Sequence, residues 1–223
     1  MINREGFYIV ASICAFIYAI ITVVSSWLHS QTKEAFTTLE NVMATRNDPR
    51  VRVRLWIVLL SFFFVLVAYA GVAVRIVTRS PRLALVGFAF CFIFVITELL
   101  WRSVDMFALR RVWLPQLAEE KDEGKKAALE ILLMGFGTCR VALCFVLMTS
   151  CALGTLSYAI GTWSENTLDM VVSVVLFANT LRLFSSVLEM HGGKKRLSKI
   201  NEKIHAPAVT IIYLVIGIWL IYP

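Results

Sequence analysis

Charge is scarce in this chain. Asp, Glu, Lys and Arg make up 17% of the 223 residues, 59% are hydrophobic, and the mean hydropathy is +0.76. A soluble domain carries about a quarter charged and about half apolar residues. One soluble core of this length cannot hide so much apolar surface, and lipid is the obvious place for it. Cysteine is sparse and unpatterned. Cys14, Cys91, Cys139, Cys144 and Cys151 all lie in or beside apolar runs and form no CxxC pair. That excludes a zinc ribbon, a redox pair and a disulfide framework, and leaves buried, reduced thiols. There is no P-loop, GxSxG, HExxH or dinucleotide fingerprint, no glycine-rich filter segment, and no clear internal repeat. No lysine falls inside an apolar run, which removes a retinal-type Schiff base. No basic stretch outside those runs is interleaved with aromatics, which removes nucleic acid as a partner. No cofactor and no metal are expected.

What the chain has is long apolar runs. A bilayer core of ~30 Å takes about 20 apolar residues as a helix. Six stretches meet or approach that length, at about 7–28, 55–74, 83–103, 133–160, 167–189 and 207–222. The first is too long for the core of a secretory signal and no A-x-A site follows it, so it reads as a retained span. The fold class is therefore all-α: a polytopic transmembrane bundle of six spans in a single domain. His29, His191 and His205 fall at span ends on one side. None sits mid-membrane as a haem ligand pair would require, although a three-histidine site at that interface is conceivable.

Lysine and arginine set the orientation. The first, third and fifth loops carry sixteen of them near span ends; the other side carries four, Arg4, Arg75, Arg79 and Arg82. The odd loops should face the cytoplasm and both termini the outside. Trp27, Trp56 and Trp101 mark one interface, and Tyr8, Tyr158, Trp163, Trp219 and Tyr222 the other. Membrane lipids are the expected partners, with anionic lipid at the basic loops, at about 1 kcal/mol per basic residue near the surface.

The loops differ in kind. In the first, Phe36, Leu39 and Met43 share a helical face, and Asn47-Asp48-Pro49 stops the pattern. This reads as an amphipathic helix lying at the interface. In the third, the apolar pattern runs on from Met106 to Trp113 and resumes at Ala127. Spans three and four should therefore extend as a cytoplasmic helical hairpin with its tip near Gly124. That hairpin is a surface for a protein partner or a second copy of the chain. The fifth opens with Gly192-Gly193, a helix stop, and continues into a basic cluster.

The candidate site is a set of ionisable groups at membrane depth. Such groups are costly, ~2.5–3.5 kcal/mol each at the bilayer centre, and default to a functional hypothesis. At 1.5 Å per residue, Glu98 lies ~24 Å, Arg140 ~30 Å and Arg182 ~25 Å from the outer interface. Three spans thus bring charge to one level. Glu98, Arg102 and Asp105 share one face at i, i+4 and i+7. Asn179, Arg182, Ser186 and Glu189 share another. The expected cluster has Arg140 between the two groups, and three arginines against three carboxylates. From the residues alone three readings stay open. The cluster is an ion-pair network stitching helices together, a cytoplasm-facing pocket for an anionic small molecule, ion or lipid head group, or a site where Glu98 or Asp105 acts as acid or base. The whole-protein counterparts are a binding or transport protein, an enzyme on a lipid or isoprenoid substrate, and a structural or regulatory subunit that docks a cytoplasmic partner.

Two stretches, "EAFTTLENVMATRNDPRVRVRLW" and "SPRLALVGFAF", resemble a family of bacterial six-span membrane proteins known as a domain of unknown function. The resemblance covers the first four spans loosely. It implies a six-helix integral membrane fold, and a bacterial inner membrane is the expected location. It implies no reaction and no site residues.

Overall fold

The computed structural model describes residues 4–32, 43–45, 47–192 and 195–222, with side chains from residue 203 onward in the last of these. Every long element is a helix: α1 Arg4–Gln31, α2 Pro49–Ile76, α3 Pro81–Ser103, a π-helical stretch Val104–Trp113 that runs on into α4 Leu114–Glu119, α5 Glu123–Thr162, α6 Thr167–Gly192 and α7 Lys195–Ile221. Six helical segments are long and apolar enough to cross a membrane, and the described residues contain no strand. The expected amphipathic helix around Phe36 and Leu39, and the basic cluster at 194–199, lie outside the residues or side chains described.

The helix starts follow local chemistry. Asp48 accepts from the Arg50 amide (2.8 Å), with Pro49 next in line as the first helical residue of α2. Asp122 accepts from the Gly124 and Lys125 amides (2.9 and 3.1 Å) at the start of α5. A side-chain oxygen at the N-cap satisfies amides that have no partner within the helix, and proline at the first position has no N–H to lose.

The helices close into a ring. Each long helix packs on its chain neighbour in the order α1, α2, α3, α5, α6, α7, and α7 returns to α1. Small residues set the closest approaches. Ala11, Ala15 and Ala19 lie buried along one face of α1, and the Ser12 hydroxyl donates to the Gly217 carbonyl of α7 (2.7 Å). A Cβ on Gly71 would stand 2.4 Å from Ala11 Cβ. Close backbone approach through small residues is how helices gain dispersion contacts when lipid supplies no hydrophobic drive between them.

The two ends of the ring differ. At the end where α1 and α3 begin, called here the sealed end, α2 reaches across to α5 and α7. There Tyr69 packs against Tyr158 and Tyr213, and the Tyr158 hydroxyl donates to the Tyr69 carbonyl (3.1 Å). At the other end, from which the basic loops run, none of the described residues fills the ring. Beyond it, α3 with its π-helical extension and α4 spans 39 residues and α5 spans 40, or about 60 Å each, twice a bilayer core. Residues 120–122 join them, so the turn precedes Gly124 by one step. Leu109, Leu114, Leu117 and Leu133 give this hairpin its own small core, with Trp113 edge-on to Phe136.

Two aromatic residues assigned to an interface are interior. Tyr158 and Trp219 are both buried, because each points its polar atom at an acceptor inside the bundle rather than at head groups.

Candidate functional site

The ring encloses a cavity of about 740 Å³ lined from all six long helices. Its floor lies toward the sealed end and is aromatic and apolar, with Tyr69, Tyr213, Phe94 and Cys151. Halfway up come Glu98 on α3, Arg182 on α6 and His205 on α7. Arg102, Arg54, His29 and Glu189 stand nearer the open end.

The charged groups are held in three distinct ways. Glu98 is gripped by Arg102 one turn along the same helix, with Nε and Nη2 both 2.9 Å from Oε1. Arg182 has neutral partners. Its Nε and Nη2 donate to the Asn179 side-chain oxygen (3.2 and 2.9 Å) and its Nη1 lies 3.1 Å from His205 Nδ1. Arg54 Nη1 stands in the same relation to His29 Nδ1, at 2.9 Å. In both arginine–histidine pairs the imidazole nitrogen accepts, so it carries no proton. Guanidinium has five N–H groups. Three are engaged at Arg182, and two have no acceptor among the described residues. The Ser186 hydroxyl donates to the Arg182 carbonyl (3.1 Å) and fixes the local turn of α6.

Of the seven residues the sequence nominates, five face this cavity: Glu98, Arg102, Asn179, Arg182 and Glu189. Asp105 and Arg140 do not. Asp105 stands about one turn past Arg102, the last residue of this helix to line the cavity. From Val104 the backbone is π-helical, with the Leu114 amide bonded to the Leu109 carbonyl five residues back. In that geometry residues five apart stack, and Asp105 pairs with Arg110 at 3.8 Å, both buried. Arg140 shares a face of α5 with the lining residues Cys144, Leu147 and Cys151, but it stands one turn nearer the basic end than they do. There it lines a separate depression with Gly137 and His191, and its guanidinium lies 5.6 Å from the Trp101 ring centroid. The expected balance of three arginines against three carboxylates changes accordingly. Arg54, read from sequence only as a flanking charge, takes Arg140's place, and Asp105 drops out. Among the described residues the cavity has three guanidiniums, Arg54, Arg102 and Arg182, against two carboxylates, Glu98 and Glu189.

The histidines sit apart. His29 and His205 serve different arginines, and His191 packs edge-on to Phe145. Among the described residues no three His, Cys, Asp or Glu side chains come together to hold a metal.

A second polar cluster seals the opposite end and was invisible as such in the sequence. Asp169, buried in the first turn of α6, accepts from Trp219 Nε1 and from the Ser164 hydroxyl (2.7 Å each) and pairs with Arg79. Arg75 lies over the Trp219 ring (4.2 Å to the centroid) and donates to the Trp219 and Tyr222 carbonyls. Its only advance signs were Asp169 early in a helix and two arginines between spans two and three.

No protein-family model, curated protein or solved structure matches this chain.

Proposed function

We propose that the chain is a multi-pass membrane protein that binds a small anion in its central cavity and carries it across the bilayer or presents it at the surface. One observation carries this reading. The described lining has a net formal charge of +1 with its histidines neutral, and Arg182 in it is held by neutral groups that leave donors to spare. A guanidinium with unused donors is built to grip a carboxylate or phosphate. The volume suits a small molecule, since such sites run to roughly 300–1,000 Å³.

The same reading puts the protein in a bacterial inner membrane with both termini outside and the open end of the cavity facing the cytoplasm. The excess of Lys and Arg in the odd loops supports that orientation, and the resemblance to six-span bacterial proteins supports that membrane. Anionic lipid is the natural contact of the basic loops. The hairpin, whose Ile131 and Met134 are exposed, is the natural place for a protein partner or a second copy. An acid–base enzyme is less well supported. Glu98 is engaged by Arg102, and Asp105 is buried against Arg110 away from the cavity.

The test is thermal unfolding of the purified protein in detergent against phosphate, acetate, benzoate and hexanoate. A saturable stabilisation by at least one anion, lost in an Arg182→Gln variant that still elutes as the wild type does, is expected. Equal responses in both proteins, or none in the wild type, would sink the proposal.

A further inference from the structure

We infer that the ligand is an amphipathic monoanion: one carboxylate or similar acid group on a single apolar body, head at Arg182 and body toward Tyr69 and Tyr213. This rests on the anion-binding reading above and goes beyond it by naming the ligand class.

The cavity is divided along its axis. Every charged side chain of the lining stands at the level of Arg182 or nearer the open end. From His205 to Tyr213 on α7 is eight residues, or ~12 Å. Over that drop the lining is mainly apolar, with Val209, Phe94, Leu147 and Cys151 beside the amide of Asn179, closed by the tyrosine floor. A bare inorganic ion would sit at Arg182 and leave the apolar half without a partner, and apolar walls hold water poorly. A neutral amphiphile would fill the floor and leave the surplus guanidinium unmatched. A dianion would overshoot the described lining, whose formal excess is one positive charge. A single acid group on one apolar tail or ring satisfies both halves.

The experiment uses the full chain in nanodiscs of zwitterionic lipid. Dissociation constants are measured by calorimetry for acetate, butyrate, hexanoate and octanoate, for the alcohols of the same lengths, and for inorganic phosphate. The wild type is compared with Arg182→Gln and Val209→Phe. In the wild type, affinity for the acids should rise about fourfold per added CH₂ until the floor is filled, with each acid at least tenfold tighter than its alcohol. Arg182→Gln should remove the advantage of acid over alcohol. Val209→Phe, which keeps Arg182 and fills space one turn below His205, should shorten the chain length at which the gain stops. It keeps the inference testable if the arginine variant fails to fold. Acetate or phosphate binding as tightly as octanoate overturns the amphipathic ligand and leaves anion binding standing. Acids and alcohols binding alike, with Arg182→Gln unchanged, overturns both. A length dependence equal in all three proteins reports partition into the bilayer and overturns the inference.

Discussion

Arg102 and Arg182 line one cavity but are held by different chemistry, and their removal should differ accordingly. Arg102 neutralises Glu98, whose side chain is 11% exposed. Taking away one partner of an enclosed pair strands the other charge, whereas taking away both does not. Arg102→Gln should therefore destabilise by about 1–3 kcal/mol. The double variant Glu98→Gln with Arg102→Gln should recover most of that, measured as unfolding midpoints in mixed micelles. Additive losses would mean that the pair is not the unit of stability. Asp169 gives a sharper asymmetry. Its carboxylate is buried and accepts from the buried Trp219 indole, while its cationic partner Arg79 is 56% exposed. Exposed charges contribute little, about 1 kcal/mol or less. Asp169→Ala leaves the Trp219 N–H without an acceptor and should cost about 1–3 kcal/mol. Arg79→Gln should cost distinctly less. Near-equal losses from the two would show that the ion pair, and not the indole hydrogen bond, secures the sealed end.

Among the elements, α3 and α5 form the most extensive interface of the ring, and one glycine shows why it can be so close. A Cβ at Gly154 would stand 2.6 Å from Cys91 Sγ and 3.1 Å from the Cys91 backbone nitrogen. Since backbone cannot rotate out of the way, Gly154→Ala has to push the helices apart and should cost about 1–3 kcal/mol, the usual penalty for overpacking. Gly137, on the same helix, has nothing within 4 Å of its would-be Cβ. Gly137→Ala should be neutral or stabilising by up to about 1 kcal/mol, because alanine restricts the unfolded chain and favours helix. The two variants, compared by thermal unfolding, isolate the helix contact from propensity. If both behave alike, the close approach of α3 and α5 does not limit stability. The π-helical stretch on α3 is the element the sequence hid. Its apolar residues, Met106 to Trp113, continue a pattern that reads as ordinary helix, and nothing in their identity announces five-residue stacking. The bond from the Leu114 amide to the Leu109 carbonyl and the pairing of Asp105 with Arg110 reveal it. Asp105, placed with Glu98 by counting along the helix, pairs instead with Arg110 beyond the cavity.

At the scale of the whole molecule, the sequence carries depth to about a helical turn and azimuth poorly. Apolar run length and the rise per residue place Glu98 and Arg182 at one level, and both line the cavity. The same arithmetic places Arg140 there too, yet it lines a different depression one turn past Cys144, because counting from span ends fixes depth only to about a turn. Tyr158 reads as an interfacial anchor from its nearness to a span end, but points inward to the Tyr69 carbonyl. The pairings of His29 with Arg54 and His205 with Arg182 depend on which helices become neighbours, and no local pattern encodes that. Orientation in the membrane is legible in principle, because Lys and Arg are counted rather than aimed, and it yields the last prediction. Ser26 lines the cavity near the basic end, while Trp163 is exposed at the sealed end. In a chain whose five cysteines are replaced by alanine, Ser26→Cys should react with a membrane-impermeant maleimide in inside-out vesicles and not in right-side-out ones. Trp163→Cys should do the reverse. Inverted labelling would overturn the assignment of the odd loops to the cytoplasm. Labelling of Ser26→Cys from both sides would show that the Asp169–Trp219 cluster does not close the far end, and that the cavity is a through-passage rather than a site open to one compartment at a time.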